Sequence, residues 1–233
     1  MQVHDFRPEA GRPRSGTVLI VHGWRSRTEY MRSIIEGFVA AGYRTLSLDL
    51  PGHGSSRGRR LDVVRAVDAV HAAAEWFGPF DAIVGHSFGG AVAVNAVSGS
   101  IAAIPTVEAK RLVLIAAPES LPDVFRDFGR YINIGPRSHE VMERRVARIA
   151  GRPLSDFKGA DQLSRLGVPT LVIHAPDDRE VLADSARRYA SAGDHVDLYW
   201  AEGLGHRRIL TDGSVVARSV DFVSQQERSL QLH

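Results

Sequence analysis

Short apolar runs alternate with longer amphipathic stretches along almost the whole chain. Each apolar run has the length of a buried β-strand and is bounded by glycine, proline or polar residues. The predicted strands cover residues 17–21, 44–49, 81–84, 111–116, 170–174 and 196–200.

The stretches between the strands carry apolar residues at helical spacing. Two clear examples are Leu61, Val64, Val67, Val70, Ala74 and Phe77, and, near the carboxyl end, Val215, Val216, Val220 and Val223. Alternating strands and helices predict an α/β domain, with a mostly parallel sheet covered by helices on both faces. In such a sheet, ligands bind at the carboxyl ends of the strands.

Residues 118–167 interrupt this alternation with two amphipathic helices in place of one crossover helix. The first apolar stripe is Leu121, Val124, Phe125, Phe128 and Ile132, and the second is Val141, Met142, Val146 and Ile149. Two interpretations stay open. Either both are surface helices packed on the core, or they form a small lid whose apolar face, with Phe125 and Phe128, covers the site.

Length, charge and cysteine content exclude several classes of function. A chain of 233 residues can bury one sizeable core, so we predict a single domain over residues 1–233. Its 29 basic and 27 acidic residues nearly balance, and short arginine runs such as residues 57–60 are interpreted as solvated faces, with no nucleic-acid partner. Without cysteine, the chain has no disulfide, thiolate metal site or cysteine nucleophile.

The sequence gives no sign of a targeting signal or a membrane span. The first residues lack an apolar signal core, and no apolar run approaches the ~20 residues of a membrane span. A cytoplasmic protein without a membrane partner is the expectation. The oligomeric state is left open.

The most informative motif is Gly85-His86-Ser87-Phe88-Gly89-Gly90, which follows an apolar strand and opens a helical run of small residues. A strand that turns sharply into a helix around a serine is typical of a nucleophile elbow, which presents the hydroxyl at the sheet edge. Gly54-Ser55-Ser56-Arg57-Gly58 fits the same short pattern, but no strand leads into it. The context therefore favours Ser87 over Ser56 as the nucleophile.

A serine hydroxyl needs a general base, and the base needs an acid that fixes its tautomer. His206 follows the last predicted strand in a glycine-bearing loop, and we predict that it is the base. For the acid, the loop after residues 170–174 offers two neighbouring aspartates. We choose Asp178, four residues after a histidine, over Asp177, and Glu119 is a third candidate.

An acyl-transfer site also needs two donors for the oxyanion. The amide of Phe88 is one candidate, because it follows the serine at a helix N-terminus. The other is the amide of Trp24, since Gly23 permits a tight turn directly after the first predicted strand.

Taken in chain order, these motifs resemble the α/β-hydrolase superfamily over essentially the whole sequence. The matching segments are His22-Gly23-Trp24, Asp49-Leu50-Pro51-Gly52-His53-Gly54, the Ser87 motif, the Asp178 loop and Gly203-Leu204-Gly205-His206. The resemblance implies a triad of Ser87, Asp178 and His206, with Trp24 and Phe88 as oxyanion donors. The segment before Thr17 is too short for the family's first antiparallel strands in full, so about six to seven strands are expected.

The resemblance implies a serine hydrolase that cleaves a small-molecule ester or related acyl bond through an acyl-enzyme, with no cofactor. The family also includes C–C bond hydrolases, thioesterases, acyltransferases, haloperoxidase-like enzymes and noncatalytic receptors, which stay open as alternatives. A metal site at His22, His53 and His86 is disfavoured, because these residues lie on separate loops without a clear ligand set.

Overall fold

A computed structural model of the chain describes residues 1–9, 16–131 and 133–230. The described residues form one seven-stranded sheet, in the spatial order β1-β3-β2-β4-β5-β6-β7. The strands are β1 (Gln2–Phe6), β2 (Thr17–Val21), β3 (Arg44–Asp49), β4 (Ala82–His86), β5 (Leu112–Ile115), β6 (Thr170–His174) and β7 (Val196–Trp200). The mostly parallel sheet and its strand number agree with the prediction from the sequence.

The strand order places the switch point of the topology between β2 and β4, near the centre of the sheet. β1 is antiparallel to β3, and every other neighbouring pair is parallel. The chain runs outward from β2 to β3 and then crosses back to β4 on the other side of β2. The crevice beyond the carboxyl ends of β2 and β4 is therefore where a ligand site is expected.

Helices cover both faces of the sheet. In the described residues they are α1 (Arg32–Ala40), α2 (Val63–Phe77), α3 (Phe88–Val97), α4 (Leu121–Tyr131), α5 (Pro136–Ala150), α6 (Gly159–Leu166), α7 (Asp184–Ala190), α8 (Gly205–Arg208) and α9 (Gly213–Leu230). Along β2, Val18 and Ile20 pack with α1 and α9, whereas Leu19 and Val21 pack with α2 and α3. This two-sided burial explains why β2 is apolar at consecutive positions.

The sequence does not predict the edge strand β1. Gln2 and Phe6 are exposed, and the segment has no apolar run, because an antiparallel edge strand need not be buried on both faces. All six strands predicted from the sequence are present, with bounds that differ by up to two residues at β4 and β5.

Asp49, at the end of β3, joins β1 to the loops beside the switch point. Its carboxylate accepts hydrogen bonds from Thr28 and the Ser55 amide, and His4 Nε2 lies 3.0 Å from Oδ2. Burial alone would raise the pKa of Asp49, but these bonds outweigh it and lower the pKa to about 2. Ser56 is buried in the same network, where its hydroxyl accepts from the Gln2 amide at 2.7 Å.

Residues 118–167 contain α4, α5, a short 3₁₀ turn at Leu154–Asp156 and α6. Arg188 on α7 contacts this segment, since its Nη1 donates to Asp123 of α4 at 2.8 Å. Among the described residues, no helix combines the length and the apolar character needed to cross a membrane.

Candidate active site

The turn between β4 and α3 holds Ser87 in a strained conformation. Ser87 has φ 52° and ψ −125°, a backbone region that residues with a side chain seldom adopt. The turn is tight enough to require glycine on both sides. A Cβ on Gly85 would lie 2.5 Å from the Gly90 amide nitrogen, and one on Gly89 would collide with the carbonyl oxygen of Val21. Such strain is typical of a functional site, and a strand-turn-helix of this kind is the geometry in which a serine hydroxyl is exposed at a sheet edge.

His206 and Asp178 meet directly, although 28 positions separate them in the sequence. His206 Nδ1 donates a hydrogen bond of 2.7 Å to Asp178 Oδ2. The carboxylate is buried, with 4% of the residue exposed, and its Oδ1 accepts from the amides of Glu180 and Val181 at 2.8 and 2.9 Å. Because the proton of the neutral imidazole is held at Nδ1, Nε2 is left as the acceptor.

These bonds keep Asp178 ionised. Burial alone would raise the pKa of the carboxyl group, but His206 and the two backbone donors outweigh burial and hold the pKa below its ordinary value. The neighbouring Asp177 is exposed and accepts a 3.3 Å hydrogen bond from the Gly205 amide instead. Glu119 is buried elsewhere, where Oε1 accepts from the Ala160 amide at the start of α6.

His86 links the Ser87 turn to the loop that carries His206. Its Nε2 donates to the backbone carbonyl of His206 at 2.9 Å, and the two imidazole rings lie 4.9 Å apart. Burial lowers the pKa of His86 to about 3, so the ring stays neutral. Since His86 immediately precedes Ser87, this bond holds the His206 loop against the turn that presents the serine.

The turn after β2 lies on the other side of Ser87. A Cβ on Gly23 would be 3.0 Å from the Ser87 Cβ, and the Trp24 and Phe88 rings are 5.6 Å apart in an edge-to-face arrangement. Phe88 is the first residue of α3, so its amide has no partner within the helix. The Trp24 and Phe88 amides therefore belong to the two backbone turns that flank the serine.

Two further histidines, His22 and His53, stabilise the turns beside Ser87. His22 Nδ1 donates to the Gly23 carbonyl at 2.8 Å, and His22 Nε2 accepts from the Leu50 amide at 3.0 Å. His53 Nε2 likewise accepts from the Arg25 amide at 3.1 Å. Within the described ranges, no group of three or more histidine, aspartate or glutamate side chains is arranged to hold a metal ion.

Of the two predicted lid residues, Phe125 is half-buried and packs against the cluster formed with α2 and α3. The side chain of Phe128 lies outside the described part of the chain, as does Ile132 altogether. Val124, from the same predicted stripe, is exposed.

The sequence motifs do not single out Glu180, although it lies in the loop that supplies Asp178. Glu180 Oε2 is 3.9 Å from His206 Nε2, while Oε1 accepts a 3.0 Å hydrogen bond from Arg207 Nε. The sequence offered one signal, because Glu180 follows Asp178 by two positions and Arg207 adjoins His206.

Comparisons with known proteins agree with this architecture. The family model described as "Alpha/beta hydrolase family" matches residues 18–219. The chain is 27% identical to a non-heme chloroperoxidase of Streptomyces lividans and 24% identical to one of Burkholderia pyrrocinia, each over 91% of both chains. The structure of Est1E from Butyrivibrio proteoclasticus superposes with a TM-score of 0.74 at 16% identity, covering 97% of this chain and 94% of that one. With its strand order, its strained Ser87 turn and a family match over most of its length, the chain belongs to the α/β-hydrolase family.

Proposed function

We propose that this protein is a serine-nucleophile hydrolase that cleaves a carboxylic ester or related acyl bond through an acyl-enzyme. The observation that carries the proposal is the 2.7 Å bond between His206 and Asp178, next to the strained turn of Ser87. A noncatalytic receptor would need neither the strained serine nor a buried carboxylate bonded to the imidazole. The chemistry uses side chains and backbone amides of this chain alone.

In the proposed reaction, Ser87 Oγ attacks the acyl carbonyl while His206 Nε2 takes the hydroxyl proton. Asp178 holds the imidazole in the tautomer with the proton at Nδ1 and stabilises the imidazolium that forms. The amides of Trp24 and Phe88 donate to the oxyanion, and each such donor typically contributes ~3 kcal/mol. His206 then protonates the leaving group, and water releases the acyl group from Ser87.

An activity-based label tests the proposal directly. A fluorophosphonate probe should modify Ser87, as peptide mass mapping of the labelled protein would reveal. Turnover should then be measured on matched aryl esters, thioesters and amides, because the family resemblance leaves the scissile bond open. Two outcomes would contradict the proposal: labelling at another residue, or an unlabelled Ser87 in protein that still turns over substrate.

The similarity to two chloroperoxidases supports a second candidate reaction at the same serine. Hydrogen peroxide in place of water would attack the acyl-Ser87 ester, giving a peracid and free serine. The peracid would then transfer its terminal hydroxyl oxygen to chloride, giving hypochlorous acid and the carboxylate. A halogenation assay with peroxide, chloride and a short carboxylic acid tests this reaction, and its loss in Ser87→Ala would assign it to the acyl-enzyme.

We also infer that α4 roofs the acyl pocket, so the half-buried Phe125 should contact the apolar part of the substrate. The Phe125→Ala variant is expected to lose about 1–3 kcal/mol of discrimination between acyl groups. The measurement is kcat/KM over a chain-length series of acyl esters, together with the free energy of unfolding.

Phe157 provides the matched control, because it lies in the same segment and is 1% exposed. Phe157→Ala should cost about 3–5 kcal/mol of stability, as truncation of a buried aromatic does. An unchanged substrate profile with an equally large stability loss in Phe125→Ala would identify Phe125 as a core residue and contradict the lid.

A further inference from the structure

Glu180 places a second carboxylate on the side of His206 opposite Asp178. Asp178 bonds Nδ1, whereas Glu180 Oε2 lies 3.9 Å from Nε2, the nitrogen that exchanges protons with Ser87 and with water in the proposed reaction. The separation is too long for a direct hydrogen bond and suits a bridging water. Glu180 Oε2 and His206 Nε2 are 3.9 Å apart. A water oxygen about 2.8 Å from both atoms would have them at an angle of about 90° to each other, so one water can bond both.

Two contacts hold Glu180 and its loop in this position. Its backbone amide donates to Asp178 Oδ1 at 2.8 Å, so the loop that carries it is fixed to the acid of the site. Arg207 Nε binds Oε1 at 3.0 Å, which leaves Oε2 to accept another hydrogen bond. The Glu180 side chain is 49% exposed, so bulk water reaches this point.

We propose that Glu180 is a positioning residue for deacylation, which orients the water that attacks the acyl-Ser87 ester; the inference rests on the proposed acyl-enzyme. The water donates one hydrogen to His206 Nε2 and the other to Glu180 Oε2. As its oxygen bonds to the acyl carbon, the first proton passes to Nε2. The bond to Ser87 Oγ then breaks, His206 returns the proton to Oγ, and the carboxylic acid leaves. Glu180 only accepts a hydrogen bond and takes no proton.

The number of hydrogens on the attacking nucleophile makes this role testable. Water can donate to His206 and Glu180 together, but methanol has a single hydroxyl hydrogen, which His206 must receive. Losing the Glu180 carboxylate should therefore slow hydrolysis of the acyl-enzyme and leave methanolysis almost unchanged. A general distortion of the site would slow both reactions alike.

The experiment measures the ratio of methyl ester to free acid that an aryl ester yields in a fixed concentration of methanol. Glu180→Ala should reduce the deacylation rate roughly tenfold, as expected for losing a bond to a charged group at a half-exposed position, and should raise the ratio by a similar factor. Glu180→Gln, which keeps an acceptor oxygen, should lie between Glu180→Ala and the unaltered protein. Fluorophosphonate labelling of Ser87 should keep its rate, because that step uses no water.

Glu202→Ala is the matched control, since Glu202 is an exposed glutamate in the loop that leads to His206. Its product ratio should equal that of the unaltered protein. An unchanged ratio in Glu180→Ala, with Ser87 still labelled, would overturn the role of Glu180 and leave the hydrolase proposal intact. Failure of the unaltered protein to label at Ser87 would overturn both.

Discussion

Replacing Ser87 with alanine is expected to lower kcat by a factor on the order of 10⁶, the loss found when the nucleophile of a serine hydrolase is removed. The covalent step disappears, while the neighbouring glycines and the 2.9 Å bond from the residue-87 amide to the Ile115 carbonyl keep the turn in place. The measurements are turnover on the best aryl ester and the free energy of unfolding, which should change little.

Ser56→Ala separates chemistry from stability, because Ser56 occupies the competing sequence motif. Its buried hydroxyl bonds the Asp49 carbonyl at 2.5 Å and the Gln2 amide at 2.7 Å. Removing it should leave kcat almost unchanged and reduce the free energy of unfolding by about 1–3 kcal/mol, since the buried Asp49 carbonyl and the partly buried Gln2 amide lose their partner. A loss of turnover in Ser56→Ala as large as in Ser87→Ala would contradict the assignment of the nucleophile.

The central sheet could be predicted from the sequence because its physical signal is local. Strands such as β2 and β6 are buried on both faces, so each appears as a continuous apolar run with clear ends. The edge strand β1 gives no such signal. It is fixed instead by register with β3 and by the contact of His4 with Asp49, both between distant parts of the chain.

The candidate site likewise combines features that are local in the sequence with features that depend on distant residues. Ser87 can be chosen from the sequence because a strand, two glycines and a helix must coincide around it, and these features are adjacent in the chain. The placement of Glu180 cannot be predicted in this way. It depends on a bond to Arg207, 27 positions away, and on the backbone turn that Asp178 stabilises.

Asp178→Asn is expected to reduce kcat by a factor on the order of 10⁴, because the substitution reverses the tautomer of His206. In the native site, Oδ1 accepts from two backbone amides, so the asparagine oxygen should keep that position and turn its NH₂ group toward His206 Nδ1. The imidazole must then accept at Nδ1 and carry its proton at Nε2, where it cannot take the proton of Ser87. The rate of fluorophosphonate labelling should fall with kcat.

The neighbouring aspartate supplies the matched control for this change of tautomer. Asp177 is exposed and bonds only the Gly205 amide among the described contacts, at 3.3 Å, so Asp177→Asn should have a far smaller effect on kcat. Equal losses in the two variants would mean that the substitutions act through the shape of the loop. A severe loss in Asp177→Asn alone would assign the acid to Asp177, and the 2.7 Å bond from His206 to Asp178 would then hold the imidazole without directing its chemistry.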